Sequence, residues 1–123
     1  MKIAVQVYSV RDHIKNGDDM LRVLGEIKKL GYDGVEFAGY AGLDAKTLRE
    51  RLDEVGLVAV GGHIGLSDFE PSKLEETLKF QQALGVKTIG VGGAPHSTML
   101  TLKHTCKVLG NADKRAKELG MRV

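Results

Sequence analysis

The sequence has little to hold it together covalently and nothing to anchor it. Cys106 is the one cysteine in 123 residues. It cannot close an internal disulfide, which fits a reducing compartment, and the cytoplasm is the expected location. No apolar run approaches the roughly 20 residues that cross a bilayer, so no membrane partner is expected. Met1-Lys2-Ile3 leads straight into a strand pattern, without the features of a signal peptide. Charge of one sign is also lacking. The formal net charge is +2, and no basic run or interleaving of aromatic and basic residues occurs, so nucleic acid is not an expected partner. Linkers and low-complexity segments are absent too. What is present is ordinary: 42% hydrophobic and 28% charged residues predict one globular domain over residues 1–123, long enough for a real core.

The informative feature is a recurrence. Leu30-Gly31-Tyr32 has counterparts at Val55-Gly56-Leu57, Leu84-Gly85-Val86 and Leu119-Gly120-Met121, with the glycines 25, 29 and 35 residues apart. Each time a helical pattern closes on an apolar residue, glycine follows, and a new apolar run begins. Glycine just past a helix accepts the left-handed conformation that ends it. The junctions therefore describe one unit, strand then helix, repeated along the chain.

Read in order, the first strand runs from Lys2 to Tyr8 and a loop follows at Ser9–His13. A helix starting near Asp18 or Asp19 carries Met20, Val23, Leu24, Ile27 and Leu30 on one face. The second strand is Val35-Glu36-Phe37-Ala38. Asp44 caps a second helix with Leu48, Leu52 and Val55 inward. The third strand, Leu57 to Val60, runs into Gly61-Gly62-His63-Ile64. Pro71 suits the first position of a third helix carrying Leu74, Leu78 and Leu84. The fourth strand, Lys87 to Val91, ends in Gly92-Gly93. Ser97 or Thr98 caps a fourth helix whose apolar face reads Leu102, Cys106, Leu109, Ala112, Ala116 and Leu119. Met121-Arg122-Val123 begins a fifth strand. Such alternation implies parallel strands and right-handed crossovers. Four units and a stub make either half of an eight-unit barrel or an open sheet.

In both architectures ligands gather where the strands end. The polar residues there are Gln6, Tyr8, Ser9 and Arg11 after the first strand, Glu36 and Tyr40 at the second, His63 at the third and His96 at the fourth. Glu36 interrupts an apolar strand, where a carboxylate is costly unless it is paired or faces a polar cavity. Glu36 and His63 thus form a candidate proton-transfer pair. Hydroxyl, amide and guanidinium groups stand ready to hold a polyol or phosphate. His13 and His104 read as surface residues and Cys106 as buried filler. Gly90-Val91-Gly92-Gly93 lacks the spacing of a nucleotide-binding loop.

The opening Ile3-Ala4-Val5-Gln6-Val7-Tyr8-Ser9-Val10-Arg11-Asp12, the stretch Gly31-Tyr32-Asp33-Gly34-Val35-Glu36-Phe37 and the third-strand His63 together resemble the xylose-isomerase-like sugar phosphate isomerase/epimerase family. Endonuclease-IV-type enzymes are among its relatives. The resemblance implies the N-terminal half of a TIM barrel, a (βα)4 unit of parallel strands with a fifth-strand stub. It implies a sugar or sugar phosphate bound at the C-terminal face, with Tyr8 and Arg11 lining the pocket, Glu36 at the rim and His63 as a metal ligand in some relatives. In that family most metal ligands lie from the fifth strand onward, beginning with a His-Asn-His stretch, and this chain reaches Val123 about where that stretch would begin. The expectation is therefore no metal site within one copy, with a divalent ion (Zn, Mn or Mg) belonging to a full-length parent that isomerises or epimerises sugars. Catalytic roles are expected for Glu36 and His63, and substrate binding for Gln6, Tyr8, Arg11 and His96. The alternative is a non-catalytic (βα)4 domain acting by self-assembly or ligand binding. Unpaired sheet edges and an uncovered apolar face predict a homodimer or larger assembly.

Overall fold

A computed structural model describes residues 1–123. Its four strands are β1 (Ala4–Gln6), β2 (Gly34–Phe37), β3 (Val58–Ile64) and β4 (Ile89–Val91). The helices that follow them are α1 (Gly17–Lys29), α2 (Ala45–Val55), α3 (Leu74–Leu84) and α4 (Met99–Glu118). Asn16 and Asp44 cap α1 and α2 by accepting from the backbone N–H of Asp19 and Thr47. The four junction glycines all lie in the left-handed region, with φ of 92°, 74°, 89° and 72° at Gly31, Gly56, Gly85 and Gly120.

The strands pair in parallel in the order β1-β2-β3-β4. That order decides between the two architectures left open above. Sequential parallel strands joined by right-handed crossovers place every helix on the same face of the sheet, whereas an open doubly wound sheet reverses direction at a switch point. Val35, Phe37, Ala59 and Ile89 are accordingly buried under the helices. Val58 and Val60, on the opposite face, are 54% and 44% exposed. Arg122 bridges Thr88 in parallel, so a fifth strand has begun along the edge of β4. The architecture is a (βα)4 half-barrel with its inner face open.

Several local expectations are corrected. Residues Val7–His13 form a 3-10 turn rather than a loop. Helix α1 begins one or two residues earlier than expected, because Asn16 and not Asp18 or Asp19 provides the cap; Asp19 instead accepts from the N–H of Lys15. Pro71 lies in a turn ahead of α3, which starts only at Leu74. On α4 the buried face is Thr105, Val108, Ala112 and Ala116. Leu102 and Cys106 are exposed, so the thiol is not core filler. The expected face was turned by roughly one position because Thr105 is polar. Its hydroxyl is satisfied by donating to the Pro95 carbonyl at 2.7 Å, which makes its burial cheap. The uncovered apolar face does not include Val35, Phe37 or Ile89, which lie beneath the helices.

Candidate active site

Pairing between β2 and β3 slips by one residue. Val35 lies opposite Ala59, but Glu36 lies opposite Gly61, leaving Val60 as the extra residue of a β-bulge. Side chains alternate between faces along a strand, so one inserted residue reverses the faces of everything beyond it. Without the bulge, His63 would face the helices. With it, His63 and Glu36 share the inner face at the C-terminal ends of their strands.

There the His63 imidazole is held from both sides. Its Nε2 lies 3.0 Å from Glu36 Oε1, and the Gln6 side-chain amide donates to its Nδ1 at 3.3 Å. With the Gln6 amide nitrogen as donor, Nδ1 is the acceptor and the proton falls to Nε2, the nitrogen beside Glu36. Glycines on neighbouring strands make room for both side chains. A Cβ at Gly61 would meet Glu36 Cγ at 3.5 Å, and one at Gly90 would meet His63 Cδ2 at 2.7 Å. The side chains are 33% exposed for Glu36 and 39% for His63. This pair therefore remains accessible from the open face.

A cavity of about 590 Å³ lies over these strand ends, lined by Gln6, Tyr8, Tyr40, His63, Asp68 and Gly92 among others. Glu36 is not part of its wall and reaches it through His63. Tyr40 is fixed by an amide N–H of Gln81 on α3, which donates to its hydroxyl at 2.6 Å. Burial pushes the Tyr40 hydroxyl above its ordinary pKa, against a smaller opposing effect of that hydrogen bond.

The structure thus brings Gln6, Tyr8, Glu36 and His63 to one place. It sets Arg11 apart. The guanidinium folds back over the Tyr8 ring at 4.3 Å and donates to the Tyr8 carbonyl at 2.9 Å. It lines a smaller neighbouring cavity of about 220 Å³ with Lys15 and Gly39. His96 is exposed, with Nδ1 2.8 Å from the Ala94 carbonyl oxygen, and does not line the strand-end cavity. Asp68 was not foreseen. It sits in the short 3-10 turn Leu66–Phe69, and its carboxylate accepts from the Gly65 N–H, an arrangement with no periodic signature. The glycines facing the inner surface were visible in the sequence, but their meaning depended on register.

No three His, Cys, Asp or Glu side chains converge anywhere in the chain. Glu36 and His63 supply two donors, already paired with each other at 3.0 Å, whereas structural and catalytic metal sites use three or more protein ligands. These residues do not fit a complete metal centre.

No protein-family model and no curated protein sequence matches the chain. Solved structures do. A sugar phosphate isomerase/epimerase from Parabacteroides distasonis superposes with a TM-score of 0.80 at 20% identity, over 98% of this chain and 49% of that one. A family 2 AP endonuclease from Brucella melitensis gives 0.77 at 16% identity, over 98% and 52%. A xylose isomerase domain protein from Salmonella typhimurium gives 0.70 at 14% identity, over 96% and 46%. The fold is half of a TIM barrel, as in these structures. The chain spans about half the length of these structures. At such identities the likeness is one of fold. No helix is long and apolar enough to cross a membrane.

Proposed function

We propose that this half-barrel carries the substrate-facing proton-transfer group of a sugar or sugar phosphate isomerase/epimerase site. The observation that carries the reading is the chain Gln6–His63–Glu36 at the strand ends, opening into the 590 Å³ cavity. His63 Nδ1 is on the cavity side: a Cβ on the lining residue Gly92 would lie 3.9 Å from it. The 3.3 Å contact from Gln6 is the longer of the two, so a substrate can displace it without disturbing Glu36. Nδ1 then takes the proton from a carbon next to a carbonyl. The imidazolium so formed has the Glu36 carboxylate 3.0 Å from its Nε2, close enough to stabilise its charge. Isomerisation is completed when the proton returns to the neighbouring carbon and the hydroxyl proton passes to the former carbonyl oxygen; epimerisation would need an acid on the opposite face of the same carbon, which a complementary half-barrel would have to supply.

Negative charge develops on the substrate oxygen, and these four strands offer no cation beside it. A complementary half-barrel holding a divalent ion (Zn, Mn or Mg) would supply that stabilisation. The open inner face favours a second reading, a (βα)4 domain acting by self-assembly, because Val58 and Val60 stand uncovered there.

Titrating isotope-labelled chain with D-xylose, D-fructose and glucose 6-phosphate tests the first reading. At least one sugar is expected to shift the Gln6 side-chain amide and the His63 ring signals saturably, and His63→Ala should remove the effect. If none of the sugars moves these signals, the site does not serve sugar chemistry.

A further inference from the structure

The smaller cavity of about 220 Å³ adjoins the strand-end cavity and shares Tyr8, Ala38 and Gly39 with it. The two differ in charge. Asp68 is the one wall residue of the larger cavity with a fixed charge, and it is a carboxylate. Lys73, 3.7 Å from Asp68, does not line that cavity. The smaller cavity carries Arg11 and Lys15 and no acidic residue. Neither cation pairs with a carboxylate in the chain. Asp19 is the nearby carboxylate, but both of its oxygens are engaged. Oδ2 accepts from the Lys15 backbone N–H at 3.0 Å, and Oδ1 accepts from Arg22 at 3.0 Å.

Arg11 is held in place by its own turn. Residues Val7–His13 kink at Val10 (φ −117°, ψ 17°). The guanidinium lies 4.3 Å over the Tyr8 ring, with Nη1 donating to the Tyr8 carbonyl. That bond uses a single N–H of the guanidinium fork, and the rest have no acceptor in the chain. A side chain already fixed loses less freedom when a ligand binds. The loop after β2 adds backbone to the wall. Gly39 and Ala41 line the cavity with φ of 98° and 52°. Ala41 is the one non-glycine residue of the chain in the left-handed region, a strained conformation that persists only where its surroundings impose it. Nothing in the chain accepts from the N–H groups of Gly39 or Ala41. Gly39 is exposed, and a Cβ on it would meet nothing within 4 Å, so this wall is open. Turns of this kind present backbone N–H groups to anions.

We propose that the Arg11–Lys15 cavity is an anion subsite that takes the phosphate of a sugar phosphate, whose carbon chain lies in the strand-end cavity against His63. This rests on the reading above and names its substrate class, a phosphorylated sugar rather than a free one. Asp68 repels the phosphate from the larger cavity, so charge also sets which end of the substrate reaches His63. Glucose 6-phosphate, D-glucose, D-glucuronate and inorganic phosphate are the probes for the labelled full chain. Glucose 6-phosphate is expected to shift the Gly39 and Ala41 backbone amides and the Arg11 side-chain N–H saturably. Inorganic phosphate should shift the same signals with about tenfold weaker affinity, and D-glucose should leave them in place. Arg11→Met removes the charge and keeps the length; it should weaken glucose 6-phosphate binding about tenfold, and Lys15→Met about three- to fivefold. Both side chains are exposed, so both variants should fold. Where Arg11→Met alters the turn, Lys15→Met decides. Equal binding by D-glucose, glucuronate as tight as glucose 6-phosphate, inorganic phosphate as tight as glucose 6-phosphate (an adventitious ion only), or unchanged affinity in the variants would overturn the proposal. If sugars move Gln6 and His63 while no phosphate compound moves Gly39 and Ala41, the subsite falls and the proton-transfer reading stands. If phosphate compounds move Gly39 and Ala41 while Gln6 and His63 stay unchanged, the proton-transfer reading falls and takes the sugar assignment with it.

Discussion

At His63 the imidazole can lie flat only because Gly90 carries no side chain. A Cβ there would sit 2.7 Å from Cδ2 and 2.9 Å from Nε2, so Gly90→Ala must swing the ring away from Glu36. The backbone at Gly90 is not left-handed, and His63 is a part-exposed side chain able to move. Stability should change by less than about 1 kcal/mol, while the ring nitrogen signals of His63 lose the signature of a carboxylate beside Nε2. An unchanged His63 spectrum in Gly90→Ala would show that the glycine has no positioning role. Glu36→Gln tests the neighbouring carboxylate. Glu36 is a third exposed and its partner more so, hence solvent screens the pair and the unfolding free energy from denaturant melts should change by less than about 1 kcal/mol. A loss of several kcal/mol would mean an interior ion pair with a structural task.

At the scale of single elements, helix ends carry the pH response. Asp44 caps α2, and the backbone N–H of Thr47 holds its carboxyl below the ordinary 3.8. Asp19 and Asp113 are likewise lowered, chiefly by the Lys15 N–H in the first case and the Lys117 side chain in the second. A depressed folded pKa adds stability that is complete above the unfolded value and is lost as pH falls through the folded value. Melting temperature should therefore hold above the carboxylate range and fall below it. Asp44→Asn keeps a capping oxygen but cannot titrate, so thermal melts from pH 6 to pH 2 should show a shallower acid limb. An acid limb as steep as that of the unmodified chain would remove Asp44 from this account.

For the whole molecule, the decisive fact is a sheet with helices on one face and nothing on the other. The matched structures are about twice as long, so in each of them there is further chain beyond the part that this fold covers. A second copy can supply a covering half here. Val58 and Val60 would meet it at the base of the inner face, and closed two-fold dimers are the commonest solution for such surfaces. Sedimentation at micromolar concentration should return a dimer or larger species, and Val60→Lys should shift it toward monomer. A well-folded monomer under those conditions would count against the assembly. Because Glu36 and His63 make only two ligands, elemental analysis of protein never exposed to chelator should find no zinc or manganese near one per chain.

The repeat of strand and helix, its period and its glycine-ended helices were legible from residues alone, because capping and apolar periodicity are local and act within a few residues. The polar residues at strand ends were legible for the same reason. Which of them meet was not. Leu57–Val60 reads as an ordinary alternating strand, and nothing in it announces that Val60 is an extra residue. Only pairing with β2 exposes the slip, and the slip turns His63 to Glu36, Gly61 to the inner face and Gly62 to the helices. Likewise Gln81 reads as one polar residue on a helix until packing buries it against Tyr40, 41 residues away in sequence. Local chemistry determined the elements and their order. Register and packing, which join residues far apart in the chain, decided which side chains form a site.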